Sequence, residues 1–268
     1  MRYPLEILIY LQGYHDMSEN NKKDIARSNN IRLNRFLAMC GIGSRRSSED
    51  LIRSGQVTIN GLVVADPSRR VNNNDIVLVG DNYVKPQEMT YVVMNKPEGI
   101  VCAVRDEHYR TVVDILPSRY RELNLFPVGR LDKNSRGLII LTNDGKFGNS
   151  IAHPSFSISK QYRVRLDHPL TVRDLNKWKQ GVLIGEKTVV PLDIRILPEG
   201  SDREWITITL GEGLKREIRV MASALGYKVR QLERIRIGRM ELKKLKTGEV
   251  ISLSCEDLGK LIQSGGYI

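Results

Sequence analysis

Residues Gly129–Gly145 read GRLDKNSRGLIILTNDG, a polar turn that feeds an apolar run and closes on a second turn. Gly129 permits an unusual φ or a close backbone approach at the entrance. Leu138–Leu141 are consecutive apolar residues, the pattern of a buried strand. Asp132 sits in the turn between them and has two readings. It can bond its own backbone and stabilise the turn. Alternatively, it is a carboxylate held beside a cleft by Arg130, Lys133 and Arg136, all close in sequence. Neighbouring cations favour the ionised form that a nucleophile or base requires.

Working outward, TYVVMNKPEGIV from Thr90 opens with a strand that stops at Lys96-Pro97. Further strands are expected at 138–142, 161–167, 190–197 and 205–210, and helices near 145–152, 171–180, 216–225 and 256–264. Strands and helices alternate without a regular βαβ repeat. Residues 91–268 therefore read as an α+β domain, a mainly antiparallel or mixed sheet flanked by helices. Polar DNYVKPQEM, with Pro86, places a linker at 85–90. Residues 31–84 read as a small N-terminal domain of two helices followed by a small sheet. Leu33, Phe36 and Leu37 recur at helical spacing before Gly41, and Ser44 precedes a second helix, in which Ser47 and Asp50 have capping-box spacing. Asn60-Gly61 between apolar runs signals a hairpin, and Asp75–Gly80 a further strand. Residues 1–30 are expected to be a disordered extension, with Met17 an alternative start.

The 268 residues suggest about two domains. Hydrophobic residues are 41% and charged ones 27%, which excludes a disordered or collagen-like chain. Cys40, Cys102 and Cys255 are too few and too scattered for a disulfide scaffold, and point to a reducing, cytoplasmic setting. His15, His108, His153 and His168 make no ligand pattern, so no metal is expected. Ile7–Leu11 is too short to span a bilayer, so no membrane partner is expected. The net charge of +11 favours a polyanionic partner. It is unevenly spread. Residues 31–84 carry seven arginines against five acids, whereas 211–247 carry eleven Lys and Arg against four acids. The excess is expected beside the pocket that Asp132 would serve.

Three other motifs bear on chemistry. In KQYRV (160–164), Lys160, Tyr162 and Val164 share one face of a strand. Tyr162 is either a half-buried edge residue or a platform for a base. In GEGLKREIRVMASALGYKVRQLERIRIG (211–238), Lys215, Arg216 and Arg219 fall in the first turns of a helix whose apolar stripe includes Ile218 and Met221. Cations there oppose the helix dipole, which argues for a function over a merely solvated face. In the small domain, Arg45 and Arg46 begin a helix near Arg32 and Arg35. Guanidinium forks match phosphate geometry.

The unit IRLNRFLAMCGIGSRRSSEDLIRSGQVTINGLVV closely resembles the S4-type RNA-binding domain, through LNRFLA, GIGSRR and I-x-x-G-x-V-x-I-N-G in that order. GRLD followed by GLIILTNDG resembles the signature of pseudouridine synthases of the RsuA-like branch, which act on ribosomal RNA. That family joins an S4-type domain to a catalytic domain, and the likeness covers about residues 31–255. It implies isomerisation of uridine to pseudouridine without a cofactor. An aspartate starts the reaction, the N-glycosidic bond breaks, and the uracil turns and rejoins the ribose through C5. Carried onto this chain, the aspartate is Asp132, Tyr162 stacks on the base and helps remove the C5 proton, and Arg219 pairs with Asp132. Ile218 lines the uracil pocket and Lys160 lies near phosphate. Lys215, Arg216 and Leu131 belong to substrate binding, while Arg130 either fills the space left by the flipped base or makes a salt bridge. Arg32, Arg35, Arg45 and Arg46 dock RNA. Ser135 stands where the family often has Thr, and Glu217 replaces the commoner Gln, as in the subgroup that modifies 23S RNA near the peptidyl transferase centre.

The expected function is thus a ribosomal RNA pseudouridine synthase, acting as a monomer on ribosomal RNA or a subunit assembly intermediate. Substrates in 16S RNA or tRNA remain as alternatives, as does a non-catalytic RNA-binding protein of ribosome assembly. Another Asp-dependent enzyme, such as a hydrolase, would need a second carboxylate or a metal near Asp132, and the sequence offers no obvious candidate.

Overall fold

The computed structural model describes residues 30–153, 158–197, 204–211 and 216–262. The N-terminal extension expected at 1–30 lies, but for Asn30, outside the described residues, as does Lys215. The chain divides into two compact units. One runs through Thr90 and takes in Ser118–Leu125; the other holds Tyr91–Pro117 and the chain from Phe126 onward.

The first unit contains β1 (Ile31–Arg32), α1 (Leu33–Met39), α2 (Arg45–Arg53), β2 (Val57–Ile59), β3 (Leu62–Val63), β4 (Arg70–Val71), β5 (Val77–Val79), β6 (Asn82–Tyr83) and the short α3 (Ser118–Arg121). Gly41, at φ +79°, turns the chain out of α1. The cap of α2 is Ser44, whose hydroxyl accepts from Ser47 N–H at 3.1 Å. The Ser47/Asp50 spacing is therefore not the cap; the helix begins three residues earlier than a box there would place it. Asn60 and Gly61 both take positive φ, the turn that joins β2 to β3 with the right twist. The strands order β3-β2-β5-β6, with β1 paired to β4. Leu33, Leu37, Ile52, Val57 and Val77 form the wholly buried centre of the core. Asn124 Nδ2 donates to Gly41 O at 2.9 Å, tying the 118–125 segment into this unit.

The second unit contains β7 (Tyr91–Lys96), β8 (Phe126–Val128), β9 (Arg136–Thr142), α4 (Gly145–Ala152), β10 (Lys160–Leu166), α5 (Val172–Gln180), β11 (Val182–Ile184), β12 (Lys187–Val189), β13 (Asp193–Ile196), β14 (Trp205–Leu210), α6 (Glu217–Ala224), β15 (Val229–Ile237), β16 (Met240–Glu241), β17 (Val250–Leu253) and α7 (Cys255–Ile262). Its sheet runs β13-β14-β10-β15-β9-β7-β17, with β8 on β9 and β16 on β15. Only the β15–β9 ladder is parallel among those described, so the sheet is mixed and the fold α+β. β9 is buried from Gly137 to its end, because side chains on both faces are covered. Leu138 and Ile140 join a core with Tyr91, Val93, Phe147 and Leu258. Asp144 caps α4, accepting from Lys146 N–H and Phe147 N–H while Tyr91 Oη donates to it at 3.0 Å. The strand expected at 190–197 is shorter, and the β11–β12 hairpin before it was not read. Leu183, Val190 and Leu192 are exposed, so apolarity there does not follow the pleat.

Candidate active site

The register of the large sheet lines up one row of residues. Lys96 on β7 is opposite Gly137 on β9; Gly137 is opposite Arg234 on β15; Arg234 is opposite Tyr162 on β10. Directly paired residues point to the same side of a sheet, so all four share one face. Lys96, Arg234 and Tyr162 are 0%, 3% and 8% exposed. Two cations and a phenol are thus buried in line, and glycine between the cations lets the strands close up. A Cβ on Gly137 would collide with backbone atoms of Arg234, and its φ of +107° also excludes most side chains.

Lys96 fixes the loop that carries Asp132. Its amine donates to Pro97 O at 2.8 Å, to Ser135 O at 2.7 Å and, more loosely, to Lys133 O at 3.4 Å. Burial lowers the pKa of Lys96 from its ordinary value; Cys102, Glu98 and Asp132 pull the other way, and Arg234 adds to the lowering. The same loop is held by Gly99 N–H donating to Lys133 O, by Ser135 N–H donating to Asp132 O, and by Leu131 N–H donating to the Cys102 sulfur at 3.3 Å. Leu131 is buried there, Arg130 is exposed, and Lys133 covers the Tyr109 ring at 3.3 Å. Arg130 makes no salt bridge among the described residues.

Asp132 keeps about a third of its side chain exposed (35%), and two arginines approach its Oδ2. Arg219 Nε is 3.7 Å away and Arg216 Nη1 3.8 Å. Arg219 is aimed by two carbonyls, donating to Val229 O at 3.0 Å and to Asn134 O at 3.3 Å. Burial chiefly lowers its pKa, against the pull of Asp132, with Arg216 adding to the lowering and Glu98 opposing it. A guanidinium remains a cation regardless. Arg216 takes φ +55° and lies just before α6, so the helix opens on acidic Glu217. Of the cations expected in the first turns, Arg219 is there and left-handed Arg216 lies just outside the helix, while Glu217 suits the dipole. Ile218 is buried beside Arg219 in sequence, on the helix that packs against β11.

Tyr162 shares the face of Arg234 but makes no hydrogen bond or ion pair with Asp132 among the described residues. Lys160 is partly buried and donates to Ile158 O at 3.0 Å. Burial, with Arg234, lowers its pKa to about 8, and Glu217 opposes the shift. In the first unit Arg45 and Arg46 are exposed on the first turn of α2, Arg32 is exposed in β1, and Arg35 is half-buried on α1. None of the four is paired with a carboxylate among the described residues. Sequence reasoning missed Lys96, Gly137, Arg234 and Cys102. Lys96 was read only as a strand stop and Cys102 only as one of three scattered cysteines, and nothing in a linear pattern says that a lysine will point inward. It also missed Glu98, an exposed carboxylate near enough to act electrostatically on both Lys96 and Arg219. Among the described residues no three His, Cys, Asp or Glu gather as metal ligands, and no helix is long and apolar enough to cross a membrane.

Residues 90–224 match the family model of RNA pseudouridylate synthase, and residues 31–77 that of the S4 domain. The chain belongs to the RNA pseudouridylate synthase family. It is similar to an uncharacterized RNA pseudouridine synthase of Aquifex aeolicus, with 37% identity over 88% of this chain and 95% of the relative. It is also similar to ribosomal large subunit pseudouridine synthase B of Bacillus subtilis, with 32% identity over 86% and 95%. A crystal structure of a pseudouridylate synthase superposes with a TM-score of 0.62 at 29% identity, covering 88% of this chain and all of that one. As a pseudouridine synthase the chain is an isomerase, and its S4 domain marks it as RNA-binding. The family model spans Lys96, Asp132, Gly137, Tyr162 and Arg219 and ends before β15.

Proposed function

We propose that this pseudouridine synthase isomerises a uridine of ribosomal RNA, in 23S RNA near the peptidyl transferase centre, with Asp132 as the reacting carboxylate. The observation that carries the reading is the pair of guanidinium groups within 4 Å of one partly exposed Asp132 oxygen, on a loop clamped from below by Lys96. Two cations keep a carboxylate ionised, and a fixed loop holds it where an extruded nucleotide can reach it. A uridine turned out of its stack would meet Tyr162, whose ring offers a stacking surface, with Ile218 as an apolar wall. In the reaction the N1–C1′ bond breaks, the uracil rotates, a C5–C1′ bond forms, N1 gains a proton and C5 loses one. The net change is an isomerisation, with neither oxidant nor reductant. Unpaired, exposed Arg130 suits the space vacated by the base, because a planar cation stacks there. Arg32, Arg35, Arg45 and Arg46 would hold RNA by its phosphates without reading sequence.

The large-subunit target rests on Glu217 in the helix entry and on the name of the Bacillus subtilis relative. Mapping pseudouridines in ribosomal RNA and tRNA, with and without the gene, tests it. We expect one 23S site to be lost, restored by the wild-type chain and not by Asp132→Asn. Loss of a 16S or tRNA site instead would move the target and keep the reaction. No change at any site would favour the RNA-binding assembly protein.

A further inference from the structure

The face of the sheet opposite the Lys96–Tyr162 row carries a second feature. Alternation along the strands sends Asn95, Gln161, Arg163 and Glu233 to that side. There they line a groove of about 500 Å³ with Arg236, Glu241, Lys243 and Lys246. Its volume is in the range of small-ligand sites. Its rim is cationic. The side chains of Arg236, Lys243 and Lys246 make no ion pair or hydrogen bond among the described residues. Of the two carboxylates, Glu233 is already engaged by Arg136 at 3.1 Å. On the floor lies Asn95, 4% exposed. Its Nδ2 donates to Leu245 O at 2.8 Å, which fixes the amide's orientation and leaves Oδ1 a buried acceptor with no partner. That oxygen is itself sealed from solvent, so the chemistry the groove offers a ligand is that of its cationic rim.

We propose that this groove is a second RNA site, binding the sugar-phosphate backbone of a substrate segment away from the reacting uridine. Free lysines and an arginine on the rim take phosphate oxygens. An acidic peptide would also satisfy the rim; the S4 domain carried by the same chain favours RNA. This also redistributes the basic stretch 211–247: Arg216, Arg219 and Arg234 belong to the Asp132 side, whereas Arg236, Lys243 and Lys246 serve the other face. The proposal rests on the chain acting on RNA.

The test uses the full chain and a transcribed 23S RNA, with Kd measured across a salt series. For Arg236→Gln/Lys243→Gln/Lys246→Gln we expect binding about tenfold weaker and the slope of log K against log salt reduced by about two, as for three lost phosphate contacts. Pseudouridine formation at saturating RNA should be unchanged, and Lys243→Arg/Lys246→Arg should bind as wild type. A 4-thiouridine-substituted transcript should photo-crosslink to the wild-type peptide spanning 236–247, which decides the matter even should the triple variant misfold. Unchanged Kd and slope, or absence of that crosslink, would overturn the proposal. So would displacement of the crosslink by uridine monophosphate alone, meaning a free-nucleotide site, or loss in the variant of polyglutamate binding with RNA binding intact, meaning an acidic protein partner. If no chain formed pseudouridine while these binding results held, the catalytic reading would fail and the groove would stand.

Discussion

Buried charge separates the residues that shape this site from those that act in it. Lys96 has no exposure and satisfies its amine on Pro97 O and on Ser135 O of the Asp132 loop, so its role is to hold that loop. Arg234 donates Nε to Leu138 O at 2.7 Å and stands between Lys96 and Tyr162 in the row. Tyr162 is the row's aromatic member, and its hydroxyl makes no hydrogen bond among the described residues. We therefore expect Tyr162→Ala to abolish turnover while leaving RNA affinity within about twofold, since most affinity comes from phosphate contacts. Gel-shift and single-turnover assays on one RNA check this; wild-type turnover would remove Tyr162 from the site. The approach of Arg219 to Asp132 was legible in the sequence through short motifs, which also singled out Tyr162. Lys96 and Arg234 were not, because charged residues in strands read as solvent-facing until the register shows otherwise.

At the level of elements, the site depends on one parallel junction, between β9 and β15. It brings Arg234 against Gly137 and Glu233 against Arg136. Gly137→Ala should break this junction, since its Cβ would strike backbone and not a movable side chain. We expect a loss of at least about 2 kcal/mol in urea unfolding, or failure to fold. Stability equal to wild type would show that the strands can part without cost. β9 was legible as an apolar run, whereas β15 was not read as a strand, and their pairing could not be, since 90 or so residues separate them and no local signal sets a long-range register. α6 starts one residue after the helix expected near 216–225, because Arg216 is left-handed, which composition does not announce.

Over the whole molecule, the basic excess serves several surfaces. Arginines of the S4 unit stand exposed, two guanidiniums face Asp132, and a further set lines the far side of the catalytic sheet. The division into a small RNA-binding domain and a larger α+β domain was legible from turn residues and the linker-like 81–89 stretch, while the assignment of Ser118–Leu125 to the first unit was not, since sequence order hides it. The central claim is that Asp132 drives isomerisation of uridine in RNA. Replacing C5–H by C5–C1′ releases the C5 hydrogen, so tritium released from 5-tritiated 23S transcript reports the reaction directly. Purified wild-type chain should release tritium at one site per molecule. Asp132→Asn should be slower by at least about a thousandfold, with RNA binding retained. Release by Asp132→Asn at the wild-type rate would contradict the account.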